Sequence, residues 1–385
     1  MPFDLALDAS QEAVADLFAR FFATECPPDV VRASEPLGFS PTLWDRLTAL
    51  GAPGIGAPED TGGGGATMVD LALVAEAVGS SVAPVPIIEH MVAARAYPEP
   101  AIVDGTTLAA VALHPARDGT WAMVPGGAVV HVVIGLDGDD LVAVHADPPG
   151  VALPNHADAP VADRSTTGRR LVLGDITDFE RILTEWKTLV AASLAGLARH
   201  ALQLGTEYAK ERIQFGRPIG GFQAVQHGLA DCVPLVEGAT LLSRKAAWAI
   251  DAGRHGELAW AENDVHDPAA LATMAFSFAS EAAALTTKRS LQYHGSYGFS
   301  REYDVQLYYR RARGWPLVLR SPASGQHLPT SSGRGVRPTW TSPSPTASRL
   351  RRGPCRHPRR DASGVRAGGA RDGDQRVPSA VPRAR

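Results

Sequence analysis

Four helix breakers fall between two helical stripes in the middle of this chain, and they constrain its fold more than any other feature. Leu189, Leu194, Ala198, Ala201, Leu204 and Tyr208 fall on one helical face. Gly216, Pro218, Gly220 and Gly221 interrupt the period, and Phe222, Val225, Leu229 and Val233 resume it. The stretch from Tyr208 to Asp231 therefore predicts a helix end, a tight turn and a second helix start. The turn carries Arg212, Gln214 and Arg217 beside an apolar Phe215. Such donors next to an aromatic ring suit an anionic, partly aromatic ligand such as a nucleotide cofactor. An ordinary helical hairpin with a solvated basic loop accounts for the same residues.

The 385 residues leave room for two or three domains and a large core. No apolar run approaches about 20 residues, so no membrane span is expected. The first residues lack the basic start and apolar stretch of a signal peptide. Cys26, Cys232 and Cys355 are widely spaced and form neither a metal motif nor a disulfide framework, which fits a reducing cytoplasm.

Ahead of the central turn the chain reads as two regions. Residues Ser10 to Thr24 predict a helix capped by Ser10, and Ser40-Pro41 starts another that ends at Gly51. Pro58 to Gly65 is a glycine-rich connector without the Lys-Ser/Thr ending of a phosphate loop. A third helix begins at Met68 and is expected to stop at Gly79 and Pro84, and a fourth covers Ile87 to Tyr97. Between Thr107 and Leu173 the period changes to two. The runs 107–113, 128–134, 141–145 and 170–173 predict short strands separated by Gly, Asp and Pro. From about Thr184 to Arg313 the chain is helical again, with an alanine-rich helix from about Ala269 to Tyr293.

The gapless run from Arg212 to Asp231 resembles the flavin-binding signature of the acyl-CoA dehydrogenase family. A second run, Gln292-Tyr-His-Gly-Ser-Tyr-Gly-Phe-Ser-Arg-Glu-Tyr303, resembles that family's Gln-x-x-Gly-Gly-x-Gly-Phe-x-x-Glu loop, with Ser296 in place of one glycine. Trp44, Leu50-Gly51, Gly54, Pro58-Glu59, Gly62-Gly63, Glu76, Gly79 and Pro84 follow the order of its amino-terminal helical domain. The resemblance implies a mainly α fold with a small β domain: an N-terminal helical domain over 1–100, a middle β-barrel-like domain over 101–178 and a C-terminal four-helix bundle over 179–319. It implies FAD as cofactor, with Arg212 at the pyrophosphate and Gln214, Phe215 and Gln223 along the rest of the molecule. Gln292 and Gly295 would reach a neighbouring subunit's FAD. The family's Thr-Glu-Pro and Gly-Ser-Asp runs have no match in the middle region.

The family oxidises acyl-CoA thioesters, with a carboxylate removing the α-proton and the flavin accepting the β-hydride. Its base occupies one of two positions, which fall here at Leu319 and Trp186; neither is a carboxylate. Glu185 is adjacent to the second and is the candidate base, although one residue along a helix is about a 100° rotation. Glu180 lies too early. The pattern resembles the shorter subunits that act in α2β2 heterotetramers, many on bulky steroid-derived CoA esters. The implied partners are an acyl-CoA substrate, further acyl-CoA dehydrogenase subunits in a homo- or heterotetramer, and an electron-transfer flavoprotein. A non-catalytic subunit that completes a partner's FAD site is the alternative. No metal, nucleic acid or membrane is implied.

The resemblance stops near Leu319. From Arg320 onward the chain holds 14 Arg, three Asp and no Lys, a balance of +11, whereas the first 319 residues, with 23 basic and 38 acidic side chains, carry −15. Arg, Pro, Ser and Gly richness without lysine is what GC-rich DNA encodes in a wrong reading frame, so a frameshift near codon 320 is expected. A segment with so few apolar residues does not offset the entropy of ordering, and 320–385 is expected to be a disordered tail. Truncation after Leu319 should leave melting temperature and flavin content nearly unchanged at moderate salt. A large loss of stability on truncation would show a folded element there.

Overall fold

The computed structural model describes residues 6–147, 149–254 and 267–319. The tail expected to be disordered, and part of the loop expected near His266, lie outside the described residues.

The chain opens with α1 (Ala9–Glu25), α2 (Pro28–Ala33) and α3 (Pro41–Ala49). The first cap is Asp8 rather than Ser10: its carboxylate accepts from the Ser10 and Gln11 backbone, and the Gln11 side chain accepts from the Asp8 N–H. At α3 the expected Ser40 cap is present, accepting from the Leu43 N–H. The glycine-rich segment 62–65 folds on itself, with Gly63 and Gly64 against the backbone of Ala57 and Ile55.

Next come α4 (Met68–Ser81), α5 (Ile87–Ala96) and α6 (Pro100–Val103). Gly79 does not stop α4, which continues to Ser81 and ends on a left-handed Val82 (φ 45°). Its role is close approach. A Cβ at Gly79 would sit 1.7 Å from the Ser193 carbonyl oxygen, and one at Gly196 would sit 2.0 Å from the Glu76 carbonyl oxygen.

The β region comprises β1 (Ala109–Val111), β2 (Thr120–Val124), β3 (Val132–Asp137), β4 (Asp140–His145), β5 (Ala162–Ser165) and β6 (Arg169–Gly174). β1, β3, β4 and β6 form one four-stranded sheet in that order, parallel at β1–β3 and antiparallel elsewhere. β2 and β5, absent from the sequence expectation, form a separate antiparallel ladder with an irregular register between Trp121 and Val124. Buried Arg164 holds the two pieces together by donating to the carbonyls of Gly127, Val130 and Ala146.

A 36-residue helix, α7 (Ile176–Glu211), then runs along both helical regions. It starts at Ile176, earlier than the sequence expectation, because Asp175 and Asp178 form a capping box directly after β6. The hairpin strands β7 (Ile213–Gln214) and β8 (Arg217–Pro218) lead to α8 (Gln223–Ala230), α9 (Cys232–Arg254), α10 (Pro268–His294) and α11 (Val305–Gly314). The stretch Pro268–Phe299 is long and apolar enough, by length and composition, to cross a membrane. In this fold its apolar side is bundle core: Leu271, Ala272, Ala275, Ala279, Ala282 and Ala283 are buried, and α10 packs on α7 and α9.

Glu76 ties three helices together. It is buried on α4 and pairs with Arg199 of α7 and Arg244 of α9, each at 3.1 Å. Asp251 of α9 accepts from the Met68 and Val69 N–H groups and so caps α4.

Gly196→Ala should force α4 and α7 apart and destabilise the fold by about 1–3 kcal/mol or more, the usual range for overpacking. Chemical denaturation measures it; an unchanged midpoint would mean that the two helices separate without cost.

Candidate active site

Two features carry the candidate site: an exposed turn with the cofactor signature, and an apolar cavity farther back along α7, where Ser193 lies roughly 28 Å along the helix from Arg212. Arg212 caps the C-terminal end of α7, its N–H donating to the Tyr208 carbonyl at 2.9 Å. The tight turn expected here is a two-residue β-hairpin. Phe215 (φ 51°) and Gly216 (φ 77°) both take left-handed conformations, as a type I′ turn requires. That geometry throws the Phe215 ring outward, 93% exposed. Arg212, Gln214 and Gln223 are exposed, and the Gln214 amide donates to the Ile213 carbonyl.

The second motif comes to this turn from the end of α10. Gly295 has φ 62° and open space where a Cβ would project, and Gln292 is exposed one turn earlier. The Arg212 guanidinium lies 5.5 Å from the centre of the Tyr297 ring. Tyr208 stacks on His294 at 4.1 Å, and Tyr303 meets both rings edge-on. Burial holds His294 below its ordinary pKa, so this aromatic floor is neutral near pH 7. The residues fit a dinucleotide such as FAD. An exposed guanidinium faces an aromatic ring instead of a carboxylate, and Gly216 and Gly295 leave backbone uncovered beside it.

The cavity has a volume of about 570 Å³. One wall is the Pro84–Pro86 turn and the start of α5; another is α7, through Trp186, Val190 and Ser193. Loops of the β region and the end of α11 close the remainder. Met123 contributes from a left-handed backbone (φ 52°), held by a 2.8 Å bond from its N–H to Asp163. A non-glycine residue in that region costs about 1–3 kcal/mol, and such strain concentrates at functional sites.

Trp186, at one of the two family base positions, lines this cavity, as does Val318, next to the other at Leu319. Glu185 does not. It is buried and points into an ion pair with Arg95 of α5, Oε2 to Nε 3.1 Å. Arg95 also donates to the Gly56 carbonyl. The single-residue offset thus turns Glu185 from the cavity that Trp186 faces. Two carboxylates line the cavity, Asp158, which pairs with Arg310, and Glu89 of α5, which is not among the sequence-predicted site residues. Glu89 accepts from the Trp186 indole N–H at 3.3 Å, and burial raises its pKa above the ordinary carboxylate value. Its signal was present as a lone acid in the apolar run Val85-Pro-Ile-Ile-Glu-His-Met-Val92.

Family models match both helical regions of the chain. Residues 8–106 match the acyl-CoA dehydrogenase N-terminal domain and residues 177–317 match the acyl-CoA dehydrogenase C-terminal domain. A curated relative, acyl-CoA dehydrogenase IpdE2 of Mycobacterium tuberculosis, is 30% identical over 331 residues, covering 81% of this chain and 92% of its own. The chain belongs to the acyl-CoA dehydrogenase family. It is an oxidoreductase family whose members bind FAD. Among solved structures, the ChsE4–ChsE5 complex of M. tuberculosis superposes with a TM-score of 0.71 at 25% identity, over 81% of this chain and 93% of that one. The Tcur3481–Tcur3483 steroid ACAD gives 0.66 at 26% identity, over 79% and 92%.

Glu185→Gln should leave the Arg95 charge buried without its full partner. Removing one member of a buried pair costs about 3–5 kcal/mol, and a neutral isostere sits at the low end of that range. A fall in denaturation midpoint is expected; unchanged stability would show that Arg95 is satisfied without the Glu185 charge.

Proposed function

We propose that this chain is an FAD-dependent acyl-CoA dehydrogenase subunit that introduces an α,β double bond into a CoA thioester carrying a bulky apolar acyl group. The observation that carries this reading is the cavity of about 570 Å³, apolar on most of its surface and walled by Trp186 at a family base position. Such a volume is in the range of drug-sized ligands. The similarity to a steroid ACAD and to the ChsE4–ChsE5 complex supports a polycyclic, steroid-derived acyl group. It also supports assembly with a second acyl-CoA dehydrogenase subunit, and electrons would pass on to an electron-transfer flavoprotein.

Arg212 would hold an FAD diphosphate, with Gln214, Phe215 and Gln223 along the rest of that cofactor, and Gln292 and Gly295, which come to the same turn, would meet the same FAD, shared with a neighbouring subunit. When bound, FAD supplies the hydride acceptor. The chain's own contribution is to bind and orient the thioester, to exclude water through Trp186 and Val190, and to take a proton from the α-carbon.

A second reading is that the chain completes a partner's FAD site without turning over substrate. Trp186 and Leu319 favour it, since neither supplies a carboxylate, and so does the Glu185–Arg95 pair. Co-expression with a second acyl-CoA dehydrogenase subunit, with each assayed alone and together, separates the two. Turnover that survives inactivation of the partner's own base supports the first reading, and turnover that vanishes supports the second.

Arg212→Ala should weaken FAD binding about tenfold or more, as expected for losing charge-assisted bonds to a diphosphate. The flavin-to-protein absorbance ratio after gel filtration measures it. Unchanged occupancy would remove Arg212 from the cofactor site.

A further inference from the structure

The family positions for the base are filled here by groups that cannot accept a proton, yet one of them is aimed at a group that can. Trp186 occupies the α7 position and faces the cavity. Its indole N–H donates to the Oε1 atom of Glu89, on the α5 wall of the same cavity, at 3.3 Å. A carboxylate on an apolar cavity wall is costly to keep charged. Its neighbour His90 is turned the other way, bonding the Ile102 carbonyl and the Ala109 N–H at 2.9 and 3.1 Å.

We propose that Glu89 is the catalytic base of this chain, taking the α-proton of an acyl-CoA thioester bound in the cavity, with Trp186 as its positioning residue. The assignment rests on the dehydrogenase reading above. In the step, the α C–H bond breaks and its proton passes to a Glu89 carboxylate oxygen. The electron pair left on the α-carbon would form the α,β double bond of an enoyl-CoA, and FAD, when bound, would supply the two-electron acceptor for the β-hydride. The base has moved from α7 to the facing helix, and the indole N–H fixes the carboxylate where the α7 side chain would have reached.

The other ionisable groups around Glu89 do not compete for this role. On α5, Arg95 is committed to Glu185. On α7, Lys187 donates to the Thr273 hydroxyl. On the far wall, Arg311 pairs with Glu35, and Asp158 pairs with Arg310. His156, from the β-region loop, is the remaining titratable group on the lining. Burial raises the Glu89 pKa. That shift brings the carboxylate nearer the working pH, where a general base is most effective.

The test uses the purified full chain with FAD, and 3-oxooctanoyl-CoA as probe. The α-proton of this thioester is acidic enough to be removed without oxidation, and its enolate absorbs in the near ultraviolet. The parent should bind the probe and form enolate, with a yield that climbs as pH rises through a midpoint above the ordinary carboxylate range. E89Q, which keeps an acceptor for Trp186, should bind the probe with at least tenfold less enolate. E89D should fold, form some enolate and show a displaced midpoint. Equal enolate in E89Q and parent, or a midpoint that does not move in E89D, would overturn the assignment. A parent that binds FAD and probe but forms no enolate overturns Glu89 alone. A parent that binds neither overturns the dehydrogenase reading beneath it.

Discussion

The crossing of α4 over α7 leaves no room for a side chain, and the positions of the other functional groups follow from it. Gly79 and Gly196 put backbone against backbone, with each glycine facing the other helix's carbonyl. At that separation Glu76 is close enough to pair with arginines on both α7 and α9, and Val78 and Ser193 arrive side by side on the cavity wall. Seven residues along α7 from Ser193, on the same face, Trp186 meets α5. A wider crossing would open the cavity to water and separate the indole from Glu89.

The far side of the cavity is held by charge. Buried Arg311 and its neighbour Arg310 reach from α11 to Glu35 on the loop after α2, and Arg310 also meets Asp158. Arg32 adds Asp304 at 2.5 Å. Burial lowers the Arg311 pKa, and Glu35 opposes that shift. Three acids and three arginines thus fasten the N-terminal helices and a β-region loop to the last helix, and apolar groups line the cavity between them.

What the sequence made legible was set by local rules. The breakers at Gly216, Pro218, Gly220 and Gly221 placed the turn, and Ser40-Pro41 placed a cap, because both depend on a few adjacent residues. Gly79 was misread as a terminator, since a glycine needed for helix crossing and one that ends a helix look alike until the partner helix is known. The strands β2 and β5 are not legible in the sequence because their ladder is irregular in register and β5, Ala-Asp-Arg-Ser, alternates on a charge that is buried through bonds to three carbonyls. The cofactor turn was readable as one unbroken motif. The cavity was not, because its walls come from stretches as far apart in the chain as Gly38 and Val318, and a lone Glu89 in an apolar helix acquires meaning only beside Trp186. Glu185 was nominated by register alone, and its Arg95 partner is 90 residues away.

The central claim is that the space between α5 and α7 is where the acyl group sits. A crystal structure of the chain with FAD and a bulky acyl-CoA thioester tests it most directly. The account predicts acyl density filling the cavity, with the α-carbon within reach of the Glu89 carboxylate and against Trp186. Density for the acyl group elsewhere, with this cavity still open, would contradict it.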